Sequence, residues 1–199
     1  MFHRTTFVFI FFLGLALMVG IVAPQAEAAV LKNEKAGISF SYDENVWDPV
    51  PQSQIEGPRD GDADRQVVEQ TLAGLSHKVA EDKYHTRFSV VRDNLANLKG
   101  QLKGKSPSEQ LLIYQKHAVD FMKSQRFRIL SSEMIRLPNV KVPGIEILAD
   151  QRDFGLTFRQ IVFLKDGEAF LLTAAARSKS YPKYQPELEK IFNSFSFSK

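Results

Sequence analysis

The dipeptide Asp166-Gly167 stands between two apolar runs, Leu156 to Lys165 and Glu168 to Arg177. It constrains the fold more than any other feature of the chain. A two-residue type I′ turn needs positive φ at both central positions, and Asp-Gly is among the pairs that accept this. Such a turn fixes the register on either side. Lys165 then faces Glu168, Phe163 faces Phe170, Ile161 faces Leu172 and Arg159 faces Ala174. On the opposite face Leu164 meets Ala169, Val162 meets Leu171 and Phe158 meets Ala175. Both faces are largely apolar, whereas a sheet with one wet face alternates apolar with polar. The hairpin is therefore expected in the middle of a sheet, covered on both sides.

The first residues belong to a different physical class. Arg4 and the free amine precede an apolar run from Phe7 to Val22, which is followed by Pro24 and by Ala26-Glu27-Ala28. A basic start, an apolar stretch and a small-residue site form the layout of a secretory signal peptide. The run is shorter than the roughly 20 residues a membrane helix needs. Residues 1–28 are thus read as a signal peptide cleaved to leave Ala29 first. Residues 29–36 are read as a flexible lead-in, and 37–199 as a single domain. The expected location is periplasmic or secreted, with membrane contact only if the leader is retained. The chain has no cysteine, so packing rather than disulfides must hold it together. A net charge of +3 is too mild to point to nucleic acid.

Ile38, Phe40 and Tyr42 alternate with small polar residues and predict a strand. Trp47 follows a short turn, and Pro49 and Pro51 stop regular structure. Residues 67–76 suit either helix or strand. Strand is preferred, because Phe88 to Arg92 is a convincing strand that wants an antiparallel neighbour across Glu81-Asp82-Lys83. Residues 95–105 read as a basic loop. Ser106-Pro107-Ser108-Glu109 then opens a helix, with Ser at the N-cap, Pro at the first helical position and Glu at the third. Leu111, Tyr114, Ala118, Phe121 and Met122 fall on one side of it. Further strands are expected over 127–137 and 145–149. Tyr181-Pro182 opens a last helix carrying Leu188, Ile191 and Phe192, and the chain closes with Ser194-Phe195-Ser196-Phe197.

The order of these pieces resembles a known family. A Gly-Ile-Ser-Phe-Ser-Tyr strand comes first, with Trp47 just after it. A Phe-Ser-Val-Val-Arg strand precedes the capped helix, and a run of strands ends in Lys-Asp-Gly-Glu-Ala-Phe-Leu-Leu-Thr. Over residues 37–197 this is similar to the PsbP-like family, the extrinsic photosystem II subunit and its non-photosynthetic bacterial relatives. The resemblance implies a PsbP/Mog-type α/β/α sandwich of α+β class, a central, mostly antiparallel sheet flanked by helices. It also implies accessory, assembly or binding roles in exported compartments. It carries no catalytic motif to transfer.

Several groups invite chemical readings. Asp60-Gly61-Asp62-Ala63-Asp64 alternates carboxylates as a calcium loop would. An EF-hand loop begun at Asp60 needs Gly and Glu where Arg65 and Thr71 stand, so a solvated acidic turn is expected. His77 and His85 could approach each other beside a hairpin turn, but zinc usually takes four ligands and no third or fourth is placed. His117 lies within the capped helix. Gly100 and Gly104-Lys105-Ser106 have the wrong spacing for a phosphate loop. Lys99, Lys103 and Lys105 are fewer than the clusters that bind anionic lipid. No catalytic, cofactor or metal residue is assigned. The leading expectation is an exported, non-enzymatic binding or assembly accessory of the cell envelope, its partner an envelope protein or a small ligand. The alternative is an envelope enzyme or metal-dependent protein using His77, His85 and the acidic run from Asp60 to Asp64. Convergence of those groups in one cleft would favour the alternative.

Overall fold

The structure is a computed structural model that describes residues 28–51, 69–78 and 86–198. The leader, the acidic run 60–64 and the turn that holds His85 lie outside the described residues.

Among the described residues ten strands form two sheets, with every pairing antiparallel. They are β1 (Ala28–Asn33), β2 (Ile38–Asp43), β3 (Trp47–Pro49), β4 (Glu69–His77), β5 (Arg87–Asp93), β6 (Phe127–Ile135), β7 (Gly144–Gln151), β8 (Leu156–Lys165), β9 (Glu168–Arg177) and β10 (Ser196–Phe197). The helices of the described residues are α1 (Lys99–Leu102), α2 (Pro107–Ser124) and α3 (Tyr181–Ser194). The larger sheet runs β3-β4-β5-β9-β8-β7-β6, and the smaller runs β1-β2-β10. The Asp-Gly hairpin, β8 with β9, occupies the middle of the larger sheet. Its register is the one the turn dictates, from Lys165 opposite Glu168 to Arg159 opposite Ala174. Asp166 has φ 53° and Gly167 φ 80°, the positive pair a type I′ turn requires.

Each face of the hairpin belongs to a different core. Ile161, Phe163, Phe170 and Leu172 pack toward α3 and the small sheet, against Phe40, Leu188, Ile191 and Phe192. Val162, Ala169 and Leu171 pack toward α2 with Leu111, Tyr114 and Met122. The layers are therefore helix, sheet, then helix with a small sheet, an α+β sandwich as expected. The α2 start is the capping box read from the sequence. Ser106 accepts a hydrogen bond from the Glu109 backbone, and the Ser106 backbone donates to the Glu109 carboxylate at 2.9 Å. The bonds from the Ser106 side chain and backbone hold the Glu109 carboxyl below its ordinary range.

Four local expectations are corrected. The segment expected as a lead-in, 29–36, carries β1, which pairs along the whole of β2 with Leu31 opposite Phe40. The basic loop 95–105 contains α1, and its leucines Leu95, Leu98 and Leu102 are buried under α2. They recur at helical spacing, a signal masked by the lysines between them. Phe121, placed on the apolar side of α2, is 61% exposed. Gly144, just outside the strand expected over 145–149, opens β7 and lies opposite Phe163. A Cβ at Gly144 would stand 2.6 Å from the Phe163 ring, so only glycine leaves room for it.

Candidate functional site

Helix α2 covers only part of its face of the large sheet, lying against β6, β7 and β8. Beside it a cleft of about 470 Å³ opens between the helix and strands β5, β9 and β8. The register orders its floor. Asp93 is level with Ala169, Val91 with Leu171, and Thr173 with Gln160; Phe158 is level with Ala175. Asp93 and Tyr114 mark one end, with the tyrosine hydroxyl 3.5 Å from the carboxylate. Phe158 and Phe127 mark the other, their rings 5.0 Å apart and edge to face. Between them the Gln160 amide donates to the Thr173 hydroxyl at 3.1 Å. This polar rung lies in an otherwise apolar floor, and Phe121 and His117 stand on the helix side of the opening.

The Asp93 end is also the end that carries strain. Leu95 adopts φ 58°, a left-handed conformation that costs a non-glycine residue roughly 1 kcal/mol or more. Two features hold it. Its backbone N–H donates to the Asp93 carboxylate at 2.8 Å, and its side chain is buried in the α2 core. The loop that closes the cleft is thus shaped by the same carboxylate that lines it.

Of the histidines, the structure describes His77 and His117, and these two lie on opposite faces of the sheet. His77 lies on the α3 side of the sheet, its ring between Trp47 at 5.3 Å and Tyr184 at 4.7 Å. His117 lies on α2, across the sheet, and lines the cleft. His85 and the aspartates 60–64 lie outside the described residues. Among the described residues no group of three or more His, Asp or Glu is placed to hold a metal ion. Lys99, Lys103 and Lys105 are exposed at and beyond α1.

The structure also holds a buried charge cluster that no sequence motif marks. Arg159 of β8 is 8% exposed. Its Nε donates to Glu146 of β7, and one Nη donates to Glu189 of α3 at 2.5 Å. The guanidinium lies 4.7 Å over the Phe192 ring. Burial alone would ease its proton off, but hydrogen bonds to Glu146 and Glu189 outweigh this and hold its pKa above the ordinary value. Arg159 therefore stays charged and ties α3 to two strands. It lies on the face opposite the cleft, so its role is to dock the helix.

Tyr181, at the start of α3, has a buried hydroxyl without a hydrogen-bond partner among the described residues. Burial pushes its pKa up to about 12 from 10.0, with Glu189 and Glu146 adding to the rise and Arg159 opposing it. The sign follows from linkage. Between pH 10 and about 12 the unfolded chain gives up this proton before the folded chain does, so stability falls as pH rises. Tyr181→Phe is expected to leave stability at pH 7 unchanged or raise it by about 1 kcal/mol, because it removes an unpaired buried hydroxyl. The variant's advantage over wild type should then widen from pH 10 to 12. Urea unfolding at pH 7, 10 and 11 checks both halves, and a gap that stays constant with pH would contradict the assignment.

No family model matches the sequence, and no curated protein does. Solved structures do match. Cyanobacterial PsbP (CyanoP) from Synechocystis sp. PCC 6803 aligns at TM-score 0.54 and 15% identity, over 93% of this chain and 98% of that one. LpqN of Mycobacterium tuberculosis, described as involved in cell envelope biogenesis, aligns at TM-score 0.52 and 11% identity, over 87% and 86%. A Pseudomonas aeruginosa protein of unknown function, PA94, aligns at TM-score 0.50 and 10% identity, over 84% and 94%. The fold of this chain is PsbP-like.

Proposed function

We propose that this chain is an exported, non-catalytic binding or assembly accessory of the cell envelope, and that the cleft beside α2 is its binding surface. The observation that carries the reading is the cleft itself. At about 470 Å³ it falls in the size range of small-ligand sites, and it has their composition, mostly apolar with a few convergent polar groups. Export is supported by the apolar run and small-residue site at the start of the sequence. An envelope role is supported by the likeness to LpqN, at the level of fold.

The test is recovery of the protein from the compartment in which it works. The full chain, tagged at its C-terminus, is expressed in a two-membrane bacterium, purified from the periplasmic fraction and extracted with organic solvent. N-terminal sequencing is expected to start at Ala29. Mass spectrometry of the extract is expected to show one class of small molecule near equimolar with the protein. Ala118→Phe, which thickens the helix wall of the cleft, should reduce that yield. Retention of an intact Met1 in the cytoplasm, or an extract with no bound molecule, would overturn the proposal.

A further inference from the structure

Resting on the reading of the cleft as a binding surface, we propose that its ligand is an elongated apolar molecule with an aromatic or similarly flat apolar end and an amine or hydroxyl at the other, and not an anionic lipid. Three observations fix this class. The first is length. The floor runs from the level of Asp93 to the level of Arg87 and Phe158, six residue steps along β5. At about 3.3 Å per residue that is roughly 20 Å, suited to an extended occupant rather than a compact one. The second is polarity along that length. Phe127 and Phe158 stand at one end with Phe121 on the helix flank, and Asp93 with Tyr114 stands at the other. Phe121 is 61% exposed there, although it is the largest apolar side chain on the helix flank. Aromatic faces attract apolar bodies and flat rings.

The third observation is charge. Among the described residues the lining contains one carboxylate, Asp93, one imidazole, His117, and no lysine or arginine. An anionic headgroup would meet repulsion at the polar end and find no lysine or arginine to pair with, whereas an ammonium or a hydroxyl can donate to Asp93. Asp93 already accepts from the Leu95 backbone through one oxygen, and among the described residues its other oxygen is met by the Tyr114 hydroxyl at the long distance of 3.5 Å. That second oxygen is the acceptor left for a ligand. The Gln160–Thr173 rung midway gives a hydroxyl hydrogen and an amide carbonyl for any polar group along the body.

The experiment uses three probes of equal length on the full mature chain: phenyloctylamine, phenyloctanol and phenyloctanoate, titrated calorimetrically below their aggregation concentrations. The amine and the alcohol are expected to bind saturably, one per chain, and the acid about tenfold more weakly or worse. Asp93→Asn keeps an acceptor for Leu95 and removes the charge, so it should erase the difference between amine and acid. Phe121→Ser, at an exposed position, should weaken all three about tenfold while leaving the urea midpoint in place. Acid binding as tight as amine binding in the wild type sinks the ligand class but leaves the cleft as a site. Binding of all three that Phe121→Ser does not alter sinks the location. No saturable binding of any probe overturns the inference outright. The molecule extracted from the periplasmic protein decides the broader proposal independently.

Discussion

Phe163→Ala is expected to cost about 3–5 kcal/mol, the usual range for emptying a buried phenylalanine site. Phe163 is fully buried near the turn of the hairpin, and its ring stacks on Phe195 at 6.1 Å with an interplanar angle of 5°. Gly144, opposite it on β7, leaves room for the ring, and the surrounding strands cannot close over the void without breaking their pairing. Domains of this size are stable by only about 5–15 kcal/mol, so one substitution removes a large share. Phe40→Ala is expected to cost about as much. From the sequence, Phe40 belongs to an earlier and less enclosed strand and should cost less. In the structure it is 1% exposed and edge to face with Phe88 at 5.2 Å, and Phe88 in turn meets Phe192 at 5.4 Å. The small sheet is thus part of the main core. Urea unfolding of both variants measures the two costs. A loss below about 1 kcal/mol for Phe163→Ala would remove the doubly covered hairpin.

The difference between Phe163 and Phe40 shows which parts of this fold are legible in a sequence. The hairpin is legible because its register depends on two adjacent turn residues and on alternation within 22 residues, 156–177. The α2 start is legible because its cap is complete within Ser106 to Glu109. Enclosure is not local. Phe40 is buried by Phe88 and by residues of α3 more than a hundred positions away, and nothing near Phe40 encodes that. Strand β1 was missed for a related reason. It is an edge strand whose alternate side chains face solvent, so Val30 is 54% exposed and only Leu31 packs against the core.

The cleft was legible in one detail. The turn sets Gln160 opposite Thr173, a polar pair between apolar pairs of that face, which marks where cover is incomplete. The remaining walls come from α2, the loop after β5 and the start of β6, and only the tertiary fold brings them together. Arg159 gave a similar hint, a charge on an inward face opposite Ala174. Its carboxylates lie 13 and 30 residues away in sequence, at no spacing that periodicity or a short motif could detect.

Arg159→Met tests what that cluster is for. The substitution keeps length and apolar contact with Phe192 but leaves Glu146 and Glu189 without their cation. Removing one partner of a buried ion pair typically costs about 3–5 kcal/mol, because the remaining charge is buried and uncompensated. Glu146 is only 15% exposed and takes most of this penalty, while Glu189, at 37%, reaches water and takes less. The lower end, about 3 kcal/mol, is therefore expected. The double variant Arg159→Met/Glu146→Leu removes the stranded carboxylate and should recover most of the loss, since apolar replacements of buried pairs are often neutral. Arg159→Lys should fall between, because an ammonium cannot reach two acceptors with a fixed fork. The decisive comparison joins stability to the cleft. Arg159 docks α3 on one face of the sheet, and the cleft opens on the other. Under conditions where it is folded, Arg159→Met should bind the phenyloctylamine probe with wild-type affinity while unfolding at lower urea. Equal losses of affinity and stability would mean that the two faces act as one unit and that α3 docking sets the shape of the cleft.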